Sequence, residues 1–208
     1  MKGLTLANDL DAQTDEELLT RYRDTGGPEN FEALVHRYER ELYRYLVRYV
    51  GDRTLADDVF QNTFLQVHLK RGLYEDGRPV RPWLYAIATH QAVDALRKIG
   101  RHPTVSLDNR VASGDSSPAA LVDMLVGDDP GPLARLREDE RRDWVRQAIE
   151  RLPETLKQTL ILAYYQDLKY REISEILEIP VGTVKSRLHA ALAKLQEMAR
   201  TANIDENG

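Results

Sequence analysis

The chain has 208 residues, 42% apolar and 30% charged, room for one domain or two small ones with a buried core. Apolar runs such as Leu160–Tyr165 fall far short of the ~20 residues of a membrane span. Cysteine is absent, and the five histidines show no HxxH or HExxH spacing, which argues against disulfides, thiol catalysis, and a metal or cofactor site.

The opening stretch, MKGLTLANDLDAQTDEE, turns acidic at once and lacks a basic-then-apolar leader, so a cytoplasmic protein is expected. Thr14 followed by Glu17 is a capping box, which opens a short helix over DEELLTRYR. Gly26, Gly27 and Pro28 break it. A longer helix follows from about Glu29 to Val50, with Phe31, Leu34, Val35, Tyr38, Leu42, Tyr45, Leu46 and Tyr49 on one side. Gly51 and Asp52 end it. The next helix carries an apolar stripe of Leu55, Ala56, Val59, Phe60, Thr63, Phe64 and Val67, and Thr63 is read as buried. Gly72 to Pro82 reads as a loop. Trp83, Leu84, Ile87, Ala88, Ala95 and Leu96 mark a helix ending near Gly100, with Trp83 in the core.

Residues 103–132 differ from the rest. They hold four prolines, three glycines and four serines, a composition that cannot offset its own ordering entropy, so a flexible linker is expected. LVDMLV, Leu121 to Val126, is expected to form a brief helical turn within it. A second helical unit begins near Leu133, breaks at Leu152-Pro153, and ends in a tail, TANIDENG, expected to fray. Strand signals are weak throughout.

The formal net charge of −5 argues against nucleic acid only until it is divided by segment. Arg78, Arg81, Arg97, Lys98 and Arg101 face Asp94 alone. Between Pro103 and Pro130, Asp108, Asp115, Asp123, Asp128 and Asp129 face Arg110 alone. Basic and acidic blocks therefore alternate.

The most specific local pattern is KYREISEILEIPVGTVKSRLHAALAKL. Ile173, Ile176 and Leu177 form the apolar face of a short helix, which Pro180 stops. Val181, Val184, Leu188, Ala191, Leu192 and Leu195 form the stripe of the next one. So tight a turn reads as helix-turn-helix. The outward residues of the second helix include Thr183, Lys185, Ser186, Arg187, His189 and Ala190, short donors and cations near a helix start, a surface suited to a major groove.

These residues carry a resemblance. IPVGTVKSRLHAALAKL resembles the promoter-reading helix of bacterial sigma factors of the extracytoplasmic-function (ECF) class, and AIERLPETLKQTLILAYYQDLKYREISEIL resembles the helices before it. ADDVFQNTFLQVHL is similar to the family's polymerase-binding helix, and RPWLYAIATHQAVDALRK to its melting helix. The resemblance covers nearly the whole chain. It implies an all-α fold of two small domains. Residues 1–102 form a region 2-like bundle for polymerase binding and for recognition and melting of the minus-ten element. Residues 133–208 form a region 4-like helix-turn-helix for the minus-thirty-five element, joined to the bundle by an acidic linker over 103–132.

The resemblance implies further that Asp57, Asp58, Gln61 and Asn62 dock on the clamp helices of the largest catalytic subunit of core RNA polymerase, with the flap as a second contact. Asn62 stands where the family commonly has an acid. The two aspartates also suit a helix N-terminus, an effect worth ~0.3–1 kcal/mol. Arg78, Arg81, His90, Gln91, Arg97 and Lys98 match positions that capture the melted strand, His90 standing where Asn is frequent. Asp94 is read as pairing with Arg97 or Lys98. Thr183, Lys185, Ser186, Arg187, His189 and Ala190 match the distal-element readers, but Ala190 and Leu192 stand where relatives commonly show arginine. The acidic linker suits a basic RNA-exit channel of the polymerase. An anti-sigma partner is a further expectation of the resemblance, and no membrane contact is.

No glycine-rich phosphate loop, metal spacing or nucleophile motif is present, so an enzyme is not expected. A stand-alone helix-turn-helix regulator, or a polymerase-binding protein that does not read promoters, are the alternatives.

Overall fold

In the computed structural model residues 10, 12–100 and 143–205 are described. The expected linker, its helical turn and the start of the second unit near Leu133 lie outside them. The described residues fall into two units, and no strand occurs among them.

The first unit begins with α1, Asp15–Thr25. Its capping box forms as expected: the Thr14 hydroxyl accepts from the Glu17 N–H at 3.2 Å, and the Thr14 N–H donates to the Glu17 carboxylate at 2.9 Å. Gly26 ends the helix in the left-handed region at φ 69°. α2, Pro28–Val50, starts on a proline, whose missing N–H is harmless at the first helical position, and stops at left-handed Gly51. α3, Arg53–Lys70, is capped by the Asp52 carboxylate, which accepts from the Leu55 N–H at 3.0 Å. A 3-10 turn, Arg71–Leu73, follows, then a loop, then α4, Val80–Lys98.

The core is the convergence of the apolar stripes. Leu18 and Leu19 of α1, Leu34, Leu42, Tyr45, Leu46 and Tyr49 of α2, Ala56, Val59 and Val67 of α3, and Leu84, Ala88 and Ala92 of α4 are all buried. Phe31, Val35, Leu55 and Phe60, at the margins of their stripes, are half-buried. Thr63 is fully buried, with its hydroxyl donating to the Val59 carbonyl at 2.7 Å. Trp83 is in the core, edge-on to Tyr74 at 5.4 Å. The loop is shorter than expected. Pro82 lies in the first turn of α4, where a proline removes no helical hydrogen bond, so the helix starts two residues before it.

The second unit comprises α5, whose described part is 143–150, then α6, Glu154–Tyr164, α7, Tyr170–Leu177, and α8, Val181–Asp205. The break at Leu152-Pro153 falls where the sequence put it. Leu156, Leu160 and Ile161 of α6, Ile173 and Ile176 of α7, and Val184, Leu188, Ala191 and Leu195 of α8 form its core. α8 continues to Asp205, through part of the tail expected to fray, because nothing from Thr201 to Asp205 breaks a helix. No described helix is long and apolar enough to cross a membrane.

Candidate functional site

Three surfaces carry the residues singled out by the sequence. The first is the outward face of α3. Asp57, Asp58, Gln61 and Asn62 are all exposed, opposite the buried Ala56, Val59, Thr63 and Val67. They are not equivalent. The Tyr43 hydroxyl hydrogen-bonds the Asp57 carboxylate, which pushes the Tyr43 pKa up. Tyr43 also meets Phe60 edge-on at 6.2 Å. Asp57 is thereby tied to α2. Asp58, Gln61, Asn62 and Leu65 follow at i, i+3, i+4 and i+7 and share one face. Leu65 is 52% exposed, Leu69 63% and Leu73 74%, an apolar extension of that face. Sequence reasoning passed over these leucines, although their position off the buried stripe was the available signal.

The second surface is α4 with the loop before it. His90, Asp94 and Arg97 follow at i, i+4 and i+7 and are exposed. Asp94 pairs with Arg97 at 3.7 Å, the partner expected of it. Gln91 is half-buried and Lys98 exposed on the adjoining stripe. The two loop arginines part company. Arg78 is exposed and makes no ion pair among the described residues. Arg81 is half-buried: its Nε lies 3.3 Å from the Glu41 carboxylate, and its guanidinium sits 5.5 Å over the Tyr85 ring. Glu41 also accepts from the Tyr85 hydroxyl at 3.3 Å. Burial, reinforced by the Glu41 charge, raises the Tyr85 pKa.

α1 clasps this loop. Arg23 donates to the Tyr74 carbonyl at 2.9 Å and pairs with Asp76 at 2.8 Å, which lowers the Asp76 pKa. Glu16 accepts from the Val80 N–H at 3.1 Å, so a side chain from α1 caps α4. The Tyr74 hydroxyl donates to the Arg78 carbonyl, and burial pushes its pKa up to about 12. Glu16, Arg23, Tyr74 and Asp76 were not singled out by the sequence, because each partner is some fifty residues or more away in the chain.

The third surface is α8. α7 ends at Leu177 and is followed by Glu178 at φ 53°, a left-handed residue that breaks the helical ladder, and the Ser174 hydroxyl donates to the Ile179 carbonyl at 2.5 Å. The tight turn read from Pro180 is therefore present. With Val184, Leu188 and Leu195 inward, helical geometry puts Ser186, His189 and Ala190 on the side away from the core, with Thr183 at its margin, and all four are half-buried. Lys185 and Arg187 fall on opposite flanks. Lys185 is exposed. Arg187 is half-buried, which lowers its pKa. The Ser186 hydroxyl donates to the Thr183 carbonyl at 3.0 Å. Two cations astride a face of small polar groups can straddle a groove.

Two family models match the chain: Sigma-70 region 2 over residues 34–102, and Sigma-70, region 4 over residues 142–195. The chain is also 30% identical over 175 residues to the ECF RNA polymerase sigma factor SigW of Bacillus subtilis, spanning 84% of this chain and 91% of SigW. The chain belongs to the ECF sigma factors. This sigma factor is 31% identical over 182 residues to the RNA polymerase sigma-H factor of Pseudomonas aeruginosa, spanning 88% of this chain and 92% of that one. It is 33% identical over 181 residues to the ECF RNA polymerase sigma-E factor of Escherichia coli, spanning 86% and 90%. Two solved structures share the fold. CnrH in complex with the cytosolic domain of CnrY has a TM-score of 0.63 at 21% identity over 91% of this chain and 99% of that chain. RpoE with the anti-sigma factor NepR from Bartonella quintana has a TM-score of 0.58 at 19% identity over 83% and 98%.

This ECF sigma factor directs promoter-specific transcription initiation by RNA polymerase, with core polymerase and promoter DNA as its partners. A stand-alone regulator would account for the region 4 match but not for region 2, and is not favoured. Sigma factors are initiation factors without catalysis of their own.

Proposed function

We propose a division of labour among the three surfaces. Asp58, Gln61 and Asn62, supported by Asp57 and extended by Leu65 and Leu69, dock the clamp helices of the largest polymerase subunit. Arg78, His90, Gln91, Arg97 and Lys98 hold the melted strand at the minus-ten element, and Arg81 seats the helix that presents them. Thr183, Ser186, His189 and Ala190 face base edges of the minus-thirty-five element while Lys185 and Arg187 reach phosphates on either side.

The observation that carries this reading is the exposure pattern of α3. Asp58, Gln61 and Asn62, with Leu65 and Leu69, lie outward on α3 opposite its buried Ala56, Val59, Thr63 and Val67, and no packing contact of the fold places them there. The melted strand demands a different surface. Unstacking bases costs a few kcal/mol each, which stacking and cationic contacts offset.

On this reading residues 1–102 and 133–208 act as separate modules joined by 103–132, and the protein works in the cytoplasm beside its polymerase. An anti-sigma partner is its expected restraint, testable by capture from the native cell and displacement of polymerase. Run-off transcription with core polymerase tests the whole. Promoter-specific transcripts support it. DNA binding that needs no polymerase, or polymerase binding without initiation, would each overturn it.

A further inference from the structure

On α2, Glu41, Arg44 and Arg48 follow at i, i+3 and i+7 and so share one flank of the helix. Glu41 identifies that flank. It is the residue that Arg81 and Tyr85 of α4 reach. One step round the helix, the Tyr45 hydroxyl hydrogen-bonds the Thr89 hydroxyl of α4 at 2.7 Å. Arg44 and Arg48 therefore run beside α4. The contact of α2 with α3 lies on its other flank, through Tyr43 against Phe60 and Asp57.

Arg44 and Arg48 are exposed, as is Arg40 one turn earlier. Arg40 and Arg44 make no ion pair among the described residues, and the acid nearest in the row, Glu41, is taken by Arg81. Guanidinium groups four residues apart repel one another and weaken the helix that bears them. Arg40 and Arg44 do nothing for packing among the described residues. Arg40, Arg44 and Arg48, four residues apart, stand about 6 Å from one another along the helix axis, a spacing a nucleic-acid backbone can follow. The row also continues the cationic character of Arg97 and Lys98 on α4 and of Arg78 in the loop before it.

We propose that Arg44 and Arg48, with Arg40, grip the sugar–phosphate backbone of the melted promoter strand as it passes α4. The inference rests on the assignment of α4 to that strand. The contacts are to phosphates, so they add affinity and no base preference. An acidic protein surface is the other possible occupant of such a row. Strand backbone is favoured because the proposed polymerase face lies on α3, across the helix, and is itself acidic and apolar.

The test uses holoenzyme assembled from core polymerase and the full chain. Affinity for core is measured first without DNA, then promoter-complex stability is titrated with salt. Each single-stranded phosphate contact contributes about 0.7 to the log–log salt slope. Arg44→Gln with Arg48→Gln should leave core affinity unchanged, lower the slope by about 1.4, and weaken the promoter complex about 14-fold at 0.15 M salt. Ranking of promoter sequences should not change, and Arg44→Lys with Arg48→Lys should restore the slope. An unchanged slope overturns the inference, and so does lost core affinity, which would place polymerase on the row. A wild-type holoenzyme that forms no promoter complex fails differently, because it removes the assignment of α4 itself.

Discussion

Replacing Arg81 and Arg78 separately by alanine should split two properties that the chain order places together. Arg81 and Glu41 retain 36% and 40% side-chain exposure, so solvent screens their ion pair to about 0.5–1 kcal/mol. The guanidinium over the Tyr85 ring adds about 0.5–1 kcal/mol. Arg81→Ala should therefore destabilise the first unit by about 1–2 kcal/mol, a fall in Tm on the order of 4–16 °C for a unit of this size. Arg78 is exposed on the loop, and its loss should change stability by less than about 0.5 kcal/mol. Its effect should appear in the promoter complex instead, as a salt slope lower by about 0.7. Urea unfolding of the free chain and salt titration of the holoenzyme–promoter complex measure the two quantities. If Arg81→Ala unfolds at the wild-type midpoint and lowers the salt slope as much as Arg78→Ala, then Arg81 touches the strand, and its seating role is wrong.

Three other outcomes are expected. Thr89→Val should cost about 1–3 kcal/mol by depriving the buried Tyr45 hydroxyl of its Thr89 partner, and Tyr45→Phe in the same chain should recover about 1 kcal/mol of it in a double-mutant cycle. Burial raises the pKa of both Tyr38 and Tyr85, so the native state keeps protons that the unfolded state releases above pH 10, and stability falls as pH rises. Between pH 9 and 11 each tyrosine should account for about 1.4 kcal/mol of that loss, and Tyr38→Phe or Tyr85→Phe should lessen it by that amount in urea titrations at the two pH values. Ala190→Arg places a bidentate donor on the outward face of α8 and should shift the preferred distal sequence by about 1–3 kcal/mol at one base, read by selection from a randomised minus-thirty-five element.

Local chemistry was readable from the sequence, and contacts across the fold were not. The capping box at Thr14, the stops at Gly26 and Gly51, the apolar stripes and the turn before α8 depend on residues within a few positions of each other. The start of α4 was misjudged because proline was read as a loop residue, when the first helical turn tolerates it. Asp57 and Asp58 look alike in the chain. Only folding shows that Tyr43 takes one and leaves the other outward. Arg81 likewise looks free until Glu41, forty residues earlier, arrives beside it. The arginine row on α2 was visible as a four-residue repeat but was overshadowed by the apolar face of the same helix.

The clasp supplied by α1 has a consequence for trimming the protein. The region 2 match begins at residue 34, so a fragment cut there keeps every matched position of that unit. It would lack Glu16 and Arg23, leaving the first amide of α4 uncapped and the segment from Tyr74 to Arg78 without its anchor. The shortest piece able to present Arg78 and His90 correctly has to start ahead of Thr14, well before the region 2 match does.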